Sequence, residues 1–287
     1  MAAREKIINL FLMDGTASGR IKCTLANWIG VAYRIPRTEI DNCSKRADLN
    51  QSGVYFLFGV SDQNGDNVVY IGQAGVRKNG EGILYRIQEH KRNPNKDYWT
   101  EAVVFTTSNN SFGPTEISYL ENRFCNLATE AKRYIVKNAN NPTHGNITEE
   151  KESELEEFVD YARIVMGALG NRVFEPLIKK PSKRDEKPIL YINRGGANAR
   201  SRLTDEGIVV LAGSVIRPTL VASCPGYVKV AREKYKDSID TNNAILKDLL
   251  FKTPSGASCF VLGAPTNGNA EWKTEDGKNF KDLENIP

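Results

Sequence analysis

Two tyrosines, an arginine, a histidine and a glutamate occur between residues 53 and 121 in an order that suits phosphate chemistry. Tyr55 ends the run Gly53-Val54-Tyr55, Tyr70 opens Tyr70-Ile71-Gly72, Arg86 and His90 are four residues apart, and Glu121 follows Tyr119-Leu120. A spacing of four sets Arg86 and His90 on one face of a helix. Tyrosines on two adjacent antiparallel strands can line one sheet face, because alternate residues share a side. A guanidinium matches two phosphate oxygens at once, a carboxylate can hold a hard cation, and a phenol or imidazole can move protons. Glu116 is the rival carboxylate, but it falls in the first turn after Pro114, where the helix dipole accounts for it.

Positioning these groups requires a particular run of elements. Residues 53–60 (GVYFLFGV) and 67–72 (NVVYIG) are rich in aromatic and β-branched residues and flank a turn containing Asn64-Gly65, which predicts two adjacent antiparallel strands. Ile83, Leu84 and Ile87 form a helical stripe, residues 101–107 (EAVVFTT) read as a third strand, and Pro114 opens a long amphipathic helix carrying Ile117, Leu120, Phe124, Leu127 and Ala131. The order is strand, strand, helix, strand, helix. Upstream, residues 7–13 read as a short strand, followed by a glycine-rich turn and a folded stretch ending at Ile35-Pro36-Arg37.

Past this region, residues 138–146 are a polar break, and Glu149, Glu150, Glu152, Glu154, Glu156 and Glu157 mark an acidic helix start that favours the positive end of the helix dipole. Residues 178–188 (IKKPSKRDEKP) have the proline-rich, charged composition of a linker. Strand-rich segments follow, then a basic helix from Pro225, a helix capped by Thr253-Pro254 and stopped at Gly263, and a last hairpin carrying Trp272. The expected division is an N-terminal segment at 1–48 packing on the next domain, a site-bearing domain at 49–145, a helix and basic linker at 146–188, and a C-terminal α+β domain at 189–287. The expected class is therefore mixed α+β.

The chain has 287 residues, 40% of them hydrophobic, with 39 basic and 35 acidic side chains for a net charge of +4. Such a composition excludes disordered, collagen-like and disulfide-scaffold classes, and its mild charge permits nucleic-acid binding without requiring it. The five cysteines are scattered, with no C-x-x-C pair, which argues against a zinc ribbon. No apolar run approaches the ~20 residues of a membrane span, and the apolar run 7–13 is too short for a signal peptide, so the expected compartment is cytoplasmic. Gly75-x4-Gly80 is followed by Glu81 where a phosphate-binding loop needs Lys, and the Gly80-x-Gly82 pattern has Tyr85 where a dinucleotide fingerprint needs Gly. The basic residues expected to contact DNA are Lys183 and Arg184 in the linker, with Lys179, Lys180 and Lys187 beside them, then Arg194, Arg200 and Arg202, and Lys229, Arg232, Lys234 and Lys236 on the basic helix.

The motifs Gly53-Val54-Tyr55, Tyr70-Ile71-Gly72, Leu84-Tyr85-Arg86 with His90, and Tyr119-Leu120-Glu121 together resemble those of the GIY-YIG nuclease superfamily over residues 50–142. Val54 stands where the name-giving motif has Ile. The C-terminal part is similar to a domain of unknown function that accompanies this nuclease in a bacterial subfamily. The resemblance implies a three-stranded antiparallel sheet flanked by helices and an endonuclease that hydrolyses DNA with one divalent metal, Mg²⁺ or Mn²⁺. It implies Glu121 as the sole protein metal ligand, Arg86 stabilising developing charge, Tyr55 as base for the attacking water, Tyr70 positioning that water and His90 assisting proton transfer. Gly53 and Gly72 are the implied backbone positions at the site, and Asn138, Asn140 and Asn141 compete as the closing asparagine. Alternative expectations are an inactive nucleic-acid-binding module on the same fold and a protein-interaction scaffold.

Overall fold

The N-terminal stretch forms a three-stranded meander. Strand β1 (Ile8–Leu12) pairs antiparallel with β2 (Ile21–Leu25), and β2 with β3 (Gly30–Pro36). In β2, Ile21, Cys23 and Leu25 are buried while Lys22 and Thr24 are half-buried, the period-two pattern of a strand with one face on a core. A computed structural model describes residues 5–63, 65–138, 145–178 and 187–283, and the chain divides into two compact units, Met1–Pro176 and Leu177–Pro287.

In the first unit, β4 (Gly53–Val60) and β5 (Asn67–Ala74) pair antiparallel and are followed by helix α1 (Ile83–Arg92), strand β6 (Trp99–Thr107) and helix α2 (Pro114–Ala131). The short β7 (Ile135–Val136) pairs parallel with β5. The sheet order is β1-β2-β3-β6-β4-β5-β7. The three expected strands are thus the fourth to sixth of a seven-stranded sheet, because β3 pairs with the far side of β6 along seven residues. The N-terminal segment completes the sheet instead of merely packing on it.

One sheet face packs Phe56, Val69 and Phe105 with Phe124 of α2 and with Leu155, Phe158, Val159 and Val165 of helix α3 (Glu149–Ala168). The other packs Tyr33, Ile35, Tyr55, Leu57 and Trp99 against Ile83, Leu84 and Ile87 of α1. Helix α3 is capped by Thr148, whose hydroxyl accepts from the Lys151 amide, and its first turn is acidic as expected. Its buried stripe joins α3 to the first unit, so the helix expected within the 146–188 connector contributes to a core.

The second unit opens with β8 (Ile189–Arg194), β9 (Ala197–Thr204) and β10 (Gly207–Val210), then α4 (Gly226–Lys234), β11 (Leu249–Phe251), α5 (Pro254–Leu262), α6 (Gly268–Glu271) and α7 (Phe280–Leu283). The antiparallel sheet runs β11-β10-β9-β8. Gly195 and Gly196, both at positive φ (61° and 82°), make the two-residue turn joining β8 to β9. Leu190, Ile192, Ala199, Ile208, Val210 and Leu249 form a core with Ala257, Phe260 and Val261 of α5. The expected last hairpin is replaced by the helical turn α6 and one bridge between Lys273 and Asn279, because Asn267 caps the turn and the Trp272 indole packs inward, donating to the Pro254 carbonyl at 3.0 Å. The chain is mixed α+β, and among the described residues no helix is long and apolar enough to cross a membrane.

Candidate functional site

Tyr55 and Tyr70 project from the same face of the β4-β5 pair. The register sets Tyr55 opposite Gly72 and Leu57 opposite Tyr70, so the two rings lie diagonally across the ladder, with centroids 6.2 Å apart. His90, on α1, completes the group. Its Nε2 is 2.6 Å from the Tyr55 hydroxyl, and its ring centroid is 5.1 Å from that of Tyr70.

Gly72 makes this arrangement sterically feasible. A Cβ at that position would overlap the Tyr55 ring and hydroxyl. Gly53 has an equivalent constraint, since a Cβ there would strike the Phe105 carbonyl and crowd Ile83. Both glycines sit where another element approaches the backbone closely.

The groups differ in access to solvent. Tyr55 is 1% exposed and His90 4% exposed, whereas Tyr70 is half-buried. Burial, with Tyr70 beside it, pushes the Tyr55 phenol well above its usual range, opposed by Arg86. Tyr70 is also raised, first by burial and then by Glu121. Burial, reinforced by Lys96 and Arg86, lowers His90 to about 4. At neutral pH both phenols and the imidazole are therefore uncharged. When Nδ1 carries the imidazole proton, Tyr55 donates to Nε2 and keeps its oxygen lone pairs for another donor.

Glu121 reaches this group from the opposite side of the sheet. Helix α2 packs against β5, and Gln73 of β5 supplies Glu121 with hydrogen bonds from its side chain and backbone. Burial raises the Glu121 carboxyl, while Gln73 and Arg86 pull it back down. Arg86 acts on Tyr55, Tyr70 and Glu121, and its guanidinium also donates to Glu89 at 2.8 Å. The five sequence-derived residues Tyr55, Tyr70, Arg86, His90 and Glu121 thus converge at the end of β5 that leads into the loop before α1. Glu116 lies apart from them: its carboxylate accepts from the Gly113 amide at 3.0 Å and closes the start of α2.

Three further participants were not singled out from sequence. Lys96, in the turn after α1, has its ammonium 3.7 Å from the centroid of the Tyr70 ring, and burial lowers its pKa. Gln73 holds Glu121. Arg77 joins Glu89 at 2.8 Å and stacks on Tyr85 at 4.8 Å, giving the rim of the site a second guanidinium. The motif spacing carries no signal for Lys96, since a non-helical turn brings it back over Tyr70. Gln73 could have been noticed as the residue after Gly72, facing α2 by strand alternation.

Asn138 clasps β5: its Oδ1 accepts from the Ile71 amide at 3.1 Å, and its Nδ2 donates to the Ile71 carbonyl at 2.7 Å. It satisfies the edge of β5 just beyond the short β7 pairing. Asn140 and Asn141, the other two closing candidates, lie outside the described residues.

The donor set can be weighed against a divalent ion. Among the described residues, no group of three or more His, Cys, Asp or Glu side chains is arranged to hold a metal. One carboxylate cannot build a closed cage. Glu121 does fit a hard cation that keeps most of its waters and takes its remaining oxygens from a phosphate, the ordinary habit of magnesium.

The basic residues expected to meet DNA divide by environment. Lys183 and Arg184 lie outside the described residues. Arg200 and Lys229 are exposed, and Arg194 is paired with Glu271 at 2.6 Å. Arg202 follows Arg200 by two on β9, hence shares its face, and its Nε is buried without a hydrogen-bond partner. Arg232 corrects the expectation. Its guanidinium donates to the carbonyls of Arg217, Phe260 and Val261 and stacks over the Phe260 ring at 4.9 Å, so it closes the last turn of α5 from inside the unit. Burial lowers its pKa to about 10.

Comparison with known proteins finds a similarity to a family described as Domain of unknown function (DUF4357), over residues 190–284. That span lies within the second unit. No curated protein and no solved structure matches the chain.

Proposed function

We propose that the first unit is a divalent-metal-dependent endonuclease of the GIY-YIG kind, acting on DNA. The observation that carries this reading is the meeting of Tyr55, Tyr70, Arg86 and His90 with one buried carboxylate, Glu121, at the same end of β5.

Each residue then has a role that follows from its surroundings. Glu121 would hold Mg²⁺ or Mn²⁺ with water and phosphate oxygens, and the ion would supply Lewis-acid polarisation of the scissile phosphate. Arg86 has a 43% exposed side chain and a surface ion-pair partner in Glu89, so its guanidinium can exchange that partner for a phosphate. Tyr70 is the phenol that reaches solvent, so it contacts the attacking water. Tyr55 lies behind it and interacts with it. The resemblance instead implies Tyr55 as base for that water, with Tyr70 positioning it. His90 is hydrogen-bonded to the Tyr55 hydroxyl and lies against the Tyr70 ring, which makes it a positioning residue. Lys96 adds positive charge near the ring of Tyr70.

Five unpaired cysteines, all buried, agree with a reducing compartment and support a cytoplasmic assignment. A second reading, a nucleic-acid-binding module without hydrolysis, draws on the neutral, buried state of Tyr55 and the single carboxylate. Incubating the full-length protein with supercoiled and linear DNA in Mg²⁺ or Mn²⁺ separates the two. Nicking that disappears in Glu121→Gln supports the nuclease; salt-sensitive DNA binding with no nicking by either protein supports the binding module.

A further inference from the structure

Strand β1 is the outer strand of the seven-stranded sheet, and its composition is unusual for an exposed edge. Its five residues, INLFL, include no charge, proline or glycine. Leu10 is 48% and Phe11 60% exposed, and Ile7 just before the strand is 67% exposed. Soluble proteins ordinarily protect such edges with lysines, prolines or bulges, because a flat apolar strand with free backbone groups is a template for pairing.

The backbone fixes which groups are free. The Ala26 amide donates to the Ile7 carbonyl at 3.0 Å, and the Met13 amide donates to the Arg20 carbonyl at 2.9 Å. Alternation in an antiparallel ladder then turns the odd-numbered residues 7–13 toward β2 and leaves the amides and carbonyls of Ile8, Leu10 and Leu12 pointing away from the sheet. Among the described residues no strand pairs with that edge. Side chains alternate likewise: Ile8, Leu10 and Leu12 share one face, and Ile7, Asn9, Phe11 and Met13 the other.

We infer that β1 is a dimerisation strand, pairing antiparallel with β1 of a second copy of this chain about a two-fold axis at Leu10. This register sets Leu10 against Leu10 of the other copy and Ile8 against Leu12, so all three outward-facing residues of each strand join hydrogen-bonded pairs. Shifting the strands by two residues leaves at least one of them unpaired. The same register brings Leu10 to Leu10 and Ile8 to Leu12 on one face, and Phe11 beside Asn9 with Ile7 near Met13 on the other. It also sets Lys6 opposite Asp14, so unlike charges meet at both ends. Asp14 already holds Arg20, so these end pairs contribute to register more than to affinity. The interface is isologous, as a two-fold dimer requires. Two seven-stranded sheets become one continuous sheet, a contact independent of the nuclease reading.

A short strand pair lies at the small end of specific interfaces, so the dimer dissociates on dilution. Sedimentation equilibrium of the full-length protein is expected to give a dimer at high concentration. Leu10→Lys and Leu10→Glu each confront like charges across the axis, and each is expected to sediment at half the wild-type mass. Because Leu10 is 48% exposed in the single chain, both variants should keep the wild-type circular dichroism spectrum, and they should match its melting temperature at dilutions where the wild type is itself monomeric. Mixing the two variants in equal amounts juxtaposes Lys and Glu, and the dimer should return. A wild type that stays monomeric at its highest soluble concentration overturns the proposal. So do single variants that remain dimeric, or a mixture that remains monomeric.

Discussion

The Tyr55 hydroxyl and His90 Nε2 share a 2.6 Å hydrogen bond beneath the sheet face, and neither group carries a charge at neutral pH. A buried neutral pair of this kind orders a site more readily than it supplies protons. Tyr55→Phe leaves the imidazole nitrogen without its partner and should destabilise the first unit by about 1–3 kcal/mol. Chemical denaturation of the two proteins measures this, and equal stability would mean that the bond contributes nothing.

The depressed pKa of His90 makes stability depend on pH with a definite sign. In the unfolded chain the imidazole titrates near 6.5, and in the folded chain at about 4. The folded state therefore binds fewer protons between these values. Its stabilising contribution is complete above pH ~6.5 and is lost as pH falls toward 4, with a slope of at most about 1.4 kcal/mol per pH unit. Measured against His90→Asn, wild type should show the steeper loss in that window. Parallel curves would exclude His90 as the cause.

Arg86→Ala removes a cation that acts on both tyrosines and on Glu121. If the site cleaves DNA, the turnover rate should fall by ~10²–10³-fold, as when a preorganised charge-stabilising donor is lost. Arg86→Lys should recover little, since a point charge lacks the bidentate fork. Single-turnover cleavage kinetics test both variants, and a fully active lysine variant would contradict the assigned role.

Gly72→Ala should be costly although it adds one methyl group. The new Cβ would overlap the Tyr55 ring, which is itself enclosed by Leu57, Ile83 and Ile87. Overpacking of this kind costs about 1–3 kcal/mol. A thermal melt of the variant checks the number, and an unchanged melting temperature would show that Tyr55 can move aside.

Arg232→Ala should weaken the second unit by about 1–3 kcal/mol, because the Arg217 and Phe260 carbonyls lose this charged donor, while the Val261 carbonyl keeps the Arg217 amide at 2.9 Å. Arg200→Ala, on the exposed face of β9, should leave stability within about 0.5 kcal/mol of wild type. Denaturant titration of both variants separates the structural arginine from the surface one. Reversal of that order would overturn the distinction.

Strands β4, β5 and β6 were legible in the sequence because their hydrophobic runs are long and bounded by polar turns, and Tyr55, Tyr70, Arg86, His90 and Glu121 because each belongs to a short motif on a regular element. Strand β3 was not, because Gly30-Val31-Ala32 and its neighbours, buried on both faces, show little alternation to read; β2 does alternate, but over only five residues. Lys96 escaped notice because its position over Tyr70 depends on how the chain leaves α1. The role of Arg232 was hidden for a related reason: its carbonyl partners are 15 to 29 residues away in the chain, and only tertiary packing brings them together. Basic residues in a sequence look alike whether they face solvent or close a helix.

The pairing of β3 with β6 has a bearing on any attempt to dissect the protein. A fragment beginning at residue 49 would retain every named site residue, yet it would strip one of its two neighbours from a nine-residue strand at the heart of the sheet, leaving β6 bonded to β4 alone. Such a fragment would expose a long, apolar, sticky ladder. The smallest portable version of this site therefore begins before β3, and loss of solubility in shorter pieces would report on strand sealing, with no bearing on catalysis.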